Sequence, residues 1–368
     1  MRGGERCLED FCAILPGADL HTLFRFPGSV GGPIEARPIR EARRLRWLKH
    51  AGPLRRRYRW LLPLFPGAIG SFDLGGYDLV VSLSHCVAKG AGEGQGVPRI
   101  AYTFTPMRYI WDMAPLYFNR GRFGAPALRI LRPILERLRR WDRSVHPDRY
   151  IAISDCVAER IRRIYGRTAA VIHPPVDLDR LPAPGPGPDE DGRYYLVVSA
   201  LAPYKRIADA LEACRILDRP LVVVGTGEDE ARLRRTAGPH TEFLGWRSDR
   251  EVADLYRRAR AFLLPGEEDF GITPLEAMAC GTPVIALGRG GALETVVTPE
   301  RSETGSPPTG ILYGETGAEP LAQAIRRFEK DAGSFDPRAL RAHAERFGRP
   351  RFREAIRKAL EDFAGPLS

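Results

Sequence analysis

The chain has 368 residues, too many for one ordinary hydrophobic core and enough for two domains of usual size. Its 43% hydrophobic and 28% charged content is that of a globular protein, and no run approaches the ~18–20 uninterrupted apolar residues of a membrane-spanning helix. The net charge of +10 leaves three readings to weigh, an anionic membrane surface, nucleic acid and a solvated basic face, and its distribution along the chain bears on them.

The opening stretch, MRGGERCLEDFC, has no apolar centre and no small-residue cleavage site, so it does not read as a secretory signal. Between Arg37 and Arg59 lie eight further basic residues against one acid, Glu41, with Trp47, Leu48, Leu54 and Tyr58 interleaved and LLPLFPGAIG following. A second basic helix is expected over LRILRPILERLRRW, Leu128 to Trp141. Arg and Trp mixed on one segment suit the anionic face of a membrane, where each basic residue contributes about 1 kcal/mol, and equally suit a solvated surface helix. No nucleic-acid-binding module accompanies the charge, so nucleic acid is not expected as a partner.

Short apolar runs follow at Tyr77–Ser84 (YDLVVSLS), Pro98–Phe104 (PRIAYTF) and Arg149–Ser154 (RYIAIS), with helical patterns such as CVAERIRRIYG between or after them. Strands alternating with amphipathic helices imply βαβ units and a parallel sheet. Asp177 to Arg193, DLDRLPAPGPGPDEDGR, is dense in Pro and Gly and reads as a linker. Beyond it the alternation restarts, with strands YYLVVSAL, PLVVVGTG, TEFLGW, FLLPG and PVIAL and helices YKRIADALEACRIL, EDEARLRRTAG, DREVADLYRRARA, TPLEAMACG and ALETVV. The expected organisation is an N-terminal domain over 1–178, a linker over 179–192, a second domain over 193–346 and a closing helix over 347–368 that packs back on the first. The fold class is α/β, two Rossmann-like doubly wound domains facing a cleft that holds the site. Six cysteines with no CxxC pair read as a buried, reduced set in a cytosolic protein.

The segment PGEEDFGITPLEAMACGTPVIALGRGG, Pro265 to Gly291, carries the strongest chemistry. Thr273 can cap a helix whose first residue is Pro274, with Glu276 completing a Thr-x-x-Glu capping box. In the other reading, Gly271 lets the amides of Phe270, Gly271 and Ile272 approach an anion at the positive end of that helix. Glu268 and Glu276 then flank it, and carboxylates suit vicinal sugar hydroxyls because they accept paired hydrogen bonds.

Together with SLSHCVAKG, TPMRYIWD, AERIRRIYG, IHPPVD, VVSALAPYKRIADALEA and EFLGW, in that order along the chain, this Glu-x7-Glu segment resembles the retaining glycosyltransferases of family 4, of GT-B fold. The branch it is most similar to is that of bacterial mannosyltransferases of O-antigen and exopolysaccharide assembly. The resemblance implies that Glu276 binds the ribose of a nucleotide, Glu268 the donor sugar, and the amides of Phe270, Gly271 and Ile272, with Thr273, the sugar and diphosphate. Lys205 would neutralise the departing diphosphate, Trp246 would lie beside the base or serve as a core aromatic, and Gly3 and Gly4 would form a loop approaching the phosphates. It implies no metal and no cofactor beyond a nucleotide-sugar donor such as GDP-mannose, a lipid-linked glycan as acceptor, and a place at the cytosolic face of a membrane.

Four positions depart from the family pattern. The strand expected before the Gly-Gly loop is absent from the sequence, so that strand is either missing or lies upstream. Ala200 stands where an Arg commonly assists the diphosphate, with Arg206 as the nearest substitute. Phe104 stands where a His often precedes TPMRY, which moves any acid–base role to His85. Ile153 replaces an Asn. Asp189-Glu190-Asp191 has the form of a metal-binding Asp-x-Asp but falls in the linker and reads as solvated, and GTGEDE lacks the third glycine of a dinucleotide fingerprint. The alternatives to a mannosyltransferase are the same reaction with UDP-glucose or another nucleotide sugar, and a catalytically silent nucleotide-sugar binder.

Overall fold

The computed structural model describes residues 3–25, 28, 30–50, 58–108, 110–111, 124–184, 194–301 and 307–366. Most of the Pro/Gly linker, including Asp189-Glu190-Asp191, and Arg55 to Arg57 of the basic segment lie outside the described residues. The chain divides into two units, one of Met1–His173 with Arg353–Ser368 and one of Pro174–Phe352.

Unit 1 opens with helix α1 (Gly3–Ile14), whose buried face carries Cys7, Phe11 and Cys12 but also Glu9 and Asp10. Arg37 closes the far end of α1, its guanidinium donating to the carbonyls of Cys12 and Leu15 at 2.7 and 3.2 Å. A cation there meets the negative end of the helix dipole. Two three-residue strands, β1 (Leu20–Thr22) and β2 (Ile39–Glu41), pair in parallel by themselves. The main sheet is parallel, with β3 (Val80–Ser84), β4 (Arg99–Thr103), β5 (Arg149–Ala152) and β6 (Ala169–Val171) side by side in chain order.

Helix α2 (Gly124–Ser144) connects β4 to β5, and α3 (Asp155–Tyr165) connects β5 to β6. Ser154 caps α3 by accepting from the Val157 amide at 3.2 Å, and Gly166 ends it in the left-handed conformation.

Unit 2 holds one six-stranded parallel sheet built from β7 (Tyr195–Val198), β8 (Leu221–Val224), β9 (Thr241–Gly245), β10 (Ala261–Leu264), β11 (Val284–Leu287) and β12 (Gly310–Tyr313). Their order across the sheet is β9-β8-β7-β10-β11-β12, so the chain builds outward from β7 in one direction, then crosses back and builds the other way. LVVV, AFLL and VIAL are buried along their whole length because helices cover both faces of a doubly wound sheet. The covering helices include α4 (Ile207–Leu217), α5 (Glu230–Thr236), α6 (Asp249–Arg258), α7 (Ile272–Ala279), α8 (Ala318–Asp331) and α9 (Pro337–Glu345), with α4 against α8 and α7 against α9. Ser248 and Glu251 form a reciprocal capping box at the start of α6.

Both crossings between units differ in position from those read in the sequence. The first falls at His173/Pro174 rather than after 178, and the return at Phe352/Arg353 rather than after 346. The reason is local pairing: Val176 bridges Gly348, its amide donating to the Phe347 carbonyl at 2.8 Å, and Asp177 lies 3.5 Å from Arg349. The last helix, α10 (Arg349–Ala364), therefore begins in unit 2 and ends in unit 1, where Arg353 donates to Asp10 at 2.6 Å.

All six cysteines are free thiols, four buried and two, Cys86 and Cys156, half-buried. Among the described residues no helix is long and apolar enough to cross a membrane.

Candidate active site

In a parallel sheet whose strand order reverses, the loops leaving the two strands at the reversal part to opposite faces and open a crevice at their carboxyl ends. In unit 2 those strands are β7 and β10. The loop after β7 runs through a 3₁₀ turn, Pro203–Lys205, to Arg206, which takes a left-handed conformation (φ 54°, ψ 32°) and starts α4. The loop after β10 is Gly266 to Gly271, and it contains Glu268. The two loops touch at Gly266, where an added Cβ would stand 2.8 Å from the Lys205 carbonyl oxygen. On its other side Gly290 and Gly291 close on the same loop, with a Cβ on either meeting Glu268 or Phe270 backbone at 2.2 Å. The Gly291 amide also donates to the Glu268 carbonyl at 2.9 Å. Side chains at these three positions would push the loops apart.

Held this way, Lys205 and Glu268 meet: the Lys205 ammonium donates to Glu268 Oε1, and the two side chains are 15% and 20% exposed. Arg206 turns elsewhere, its Nε donating to Asp209 Oδ2 at 2.7 Å. Ala200, in the same loop after β7, is exposed and offers no side-chain donor.

Gly271 (φ 91°) is the N-cap of α7, which begins at Ile272. The capping box expected from Thr273 and Glu276 does not form. The left-handed glycine starts the helix two residues earlier, placing Thr273 inside the first turn, and α7 has no side-chain cap. Glu276 is thereby released from a capping role. It is half-buried and accepts from the hydroxyl of Tyr256 at 3.4 Å. The buried thiol of Cys280 is pushed up to about 12, first by burial and then by the charge of Glu276. Phe270 turns its ring into the core beside Phe347, centroids 5.8 Å apart, so only its backbone faces the loop. Trp246 follows β9 and is 74% exposed, which removes the core-aromatic reading.

In unit 1 the corresponding sheet edge gathers the other sequence-derived residues. His85 is exposed directly after β3. Phe104 directly follows β4, its amide donating to the Ser84 carbonyl at 2.8 Å and its ring edge-on to Tyr102 at 5.5 Å. Gly3 and Gly4 do not form a loop; they are the first turn of α1, and a Cβ on Gly4 would lie 3.7 Å from the Phe104 ring. Ile153 is buried. Among the described residues no group of three His, Cys, Asp or Glu side chains could hold a metal ion.

Tyr256 and the clamp glycines Gly266, Gly290 and Gly291 are absent from the sequence reading of the site. Only the glycine density of the segment hinted at close backbone approach.

Residues 1–180 match the family model described as Glycosyltransferase Family 4, and residues 184–349 match the model described as Glycosyl transferases group 1. The chain belongs to this glycosyltransferase family.

It is 33% identical over 235 residues to a D-inositol 3-phosphate glycosyltransferase of Kribbella flavida, covering 55% of this chain and 53% of that one. Over 147 residues it is 36% identical to a GDP-mannose-dependent alpha-(1-6)-phosphatidylinositol dimannoside mannosyltransferase of Mycobacterium tuberculosis, covering 39% and 36%. The chain thus spans about half the length or less of these curated relatives. Among solved structures, a sucrose-phosphate synthase of Thermosynechococcus elongatus aligns with TM-score 0.69 and 20% identity over 97% of this chain and 91% of that one. HepE of Anabaena in complex with UDP aligns with TM-score 0.66 and 18% identity over 98% and 96%. At these identities the structural likeness establishes the GT-B fold alone.

Proposed function

We propose that this glycosyltransferase transfers a hexose with retention of configuration, most simply mannose from GDP-mannose, to a hydroxyl of a lipid-linked oligosaccharide or polysaccharide. The observation that carries the reading is the Lys205–Glu268 pair at the strand-order reversal, next to the capless amide end of α7. A cation, a carboxylate and free helix-terminal amides are the groups that an anionic leaving group and a polyol require together. In this reading Lys205 and the amides of Gly271 and Ile272 take the diphosphate and Glu268 the sugar hydroxyls. Glu276 takes the ribose and Trp246 the base.

Lys205 acts where charge grows as the sugar–phosphate bond breaks, the most effective place for a catalytic contact. The charge is thus carried by protein groups, without a metal. Retention proceeds by front-face displacement, the departing diphosphate assisting deprotonation of the acceptor, with His85 as the candidate proton-handling side chain. The basic residues between Arg37 and Arg59 would hold the protein against an anionic membrane on its cytosolic side.

Calorimetry with GDP, UDP and ADP, followed by turnover with GDP-mannose and UDP-glucose in EDTA, tests this. Tight binding of GDP and a product that keeps the anomeric configuration of the donor by NMR are expected. UDP preference moves the donor to the UDP-glucose class. Binding without turnover selects the silent relative, for which Phe104 and Ala200 speak, and an inverted product rejects the mechanism.

A further inference from the structure

Tyr256 lies on α6, outside every sequence motif that points to a nucleotide sugar. Its side chain is fully buried, and its ring meets Phe262 of β10 edge-on with centroids 5.8 Å apart. Its carbonyl accepts from the Thr282 hydroxyl, which ties the end of α6 to the turn between α7 and β11. Neither the ring nor its helical turn can shift without disturbing close packing. From this fixed position the Tyr256 hydroxyl donates to Oε2 of Glu276 at 3.4 Å. A glutamate has three side-chain torsions, and a half-buried one left to itself must be ordered when ligand binds, an entropy loss charged against affinity. The contact is at the long end of hydrogen bonding, and it gives the carboxylate a fixed direction while each carboxylate oxygen can accept more than one bond.

Resting on the reading of Glu276 as the ribose ligand, we propose that Tyr256 is a positioning residue. It holds the Glu276 carboxylate ready to accept the two vicinal hydroxyls of a ribose, and so sets the preference for ribonucleotide over deoxyribonucleotide donors. A site built to hydrogen-bond a hydroxyl discriminates against the analogue lacking it, because its buried polar group is then left unpaired. That discrimination is only as good as the carboxylate's alignment.

The test is calorimetry with matched pairs, GDP with 2′-deoxy-GDP, UDP with 2′-deoxy-UDP and ADP with 2′-deoxy-ADP. It compares the unsubstituted protein with Tyr256→Phe, Glu276→Ala and the double variant. Phe keeps the ring packing, and an unchanged melting profile verifies the fold. The unsubstituted protein is expected to prefer the ribose form of its nucleotide by about tenfold or more. Tyr256→Phe should weaken the ribose form by roughly three- to tenfold, leave the deoxyribose form unchanged and raise the donor KM without changing kcat. Glu276→Ala should erase the preference, and adding Tyr256→Phe to it should change nothing more. An unaltered ribose preference in Tyr256→Phe, equal weakening of both forms, or additive losses in the double variant would each overturn the assignment. If the unsubstituted protein binds no nucleoside diphosphate, or binds both sugars alike, the reading of Glu276 itself fails and takes this inference with it.

Discussion

Lys205 with Glu268 in unit 2 and Lys89 with Asp142 in unit 1 are the same chemistry in opposite surroundings. Lys89 is 3% exposed and Asp142 not at all. The Lys89 ammonium lies 3.3 Å from Asp142 Oδ1 and also donates to the carbonyls of Asp142 and Val145. Beneath it is the ring of Tyr165, 3.8 Å to the centroid. Asp142 Oδ2 in turn accepts from the Trp111 indole at 2.7 Å and the Tyr165 hydroxyl at 2.8 Å. Two carbonyls, a carboxylate and an aromatic face enclose that lysine, so the pair is a structural tie.

Lys205, by contrast, has one acceptor in hydrogen-bond reach among the described residues, and that partner sits on the loop after β10. This is an ion pair with unused donors beside a helix start that has no side-chain cap. Enclosure separates the two pairs more sharply than charge does, since Lys89 and Asp142 are 3% and 0% exposed against 15% and 20% for Lys205 and Glu268.

The largest expected effect breaks the tie in unit 1. Lys89→Met leaves Asp142 charged and buried, and removing one partner of such a pair destabilises by about 3–5 kcal/mol, read as a lowered denaturant midpoint. The nucleotide affinity of the remaining folded protein should hold. Lys205→Ala should do the reverse, lowering kcat about 10²–10³-fold while moving the melting temperature little, because the pair is partly solvated. A large loss of stability there, with catalysis intact, would make the two pairs alike and remove the case for the site.

The smallest effect concerns pH. Burial is the leading cause holding His343 below its ordinary value of 6.5, although its ring bonds the Thr295 carbonyl at 2.9 Å. His21 and His146 are held down in the same way. The unfolded chain therefore binds protons first as pH falls below 6.5, and stability should fall with it down to the folded-state values. Replacing His343 by Gln should flatten that slope by at most about 1.4 kcal/mol per pH unit, measured by denaturation at pH 7 and pH 5.

Much of the α/β organisation is legible in the sequence, because YYLVV, PLVVV, AFLL and PVIAL are dense apolar runs that only a doubly covered parallel strand accommodates. β1 and β2 are not legible, being three residues each with none buried. In the site, Glu268, Glu276 and Lys205 stand out through their local pattern. A capping rule puts the start of α7 two residues too late, because it counts side chains and is blind to a glycine at positive φ. Phe270 could not be sorted into ring and backbone, since its position faces the core and the loop at once. Tyr256 is twenty residues from Glu276, and Lys89 is 53 from Asp142. Nothing local marks either pair, and tertiary packing alone brings them together.

The interrupted make-up of unit 1 sets an order of assembly during synthesis. Residues 174–352 are continuous, so unit 2 can close as soon as its last strand and helices leave the ribosome. Unit 1 must wait for Arg353 and the stretch after it before the Arg353–Asp10 pair can form. A chain stalled shortly before that point would carry one finished half and one that still lacks its final piece.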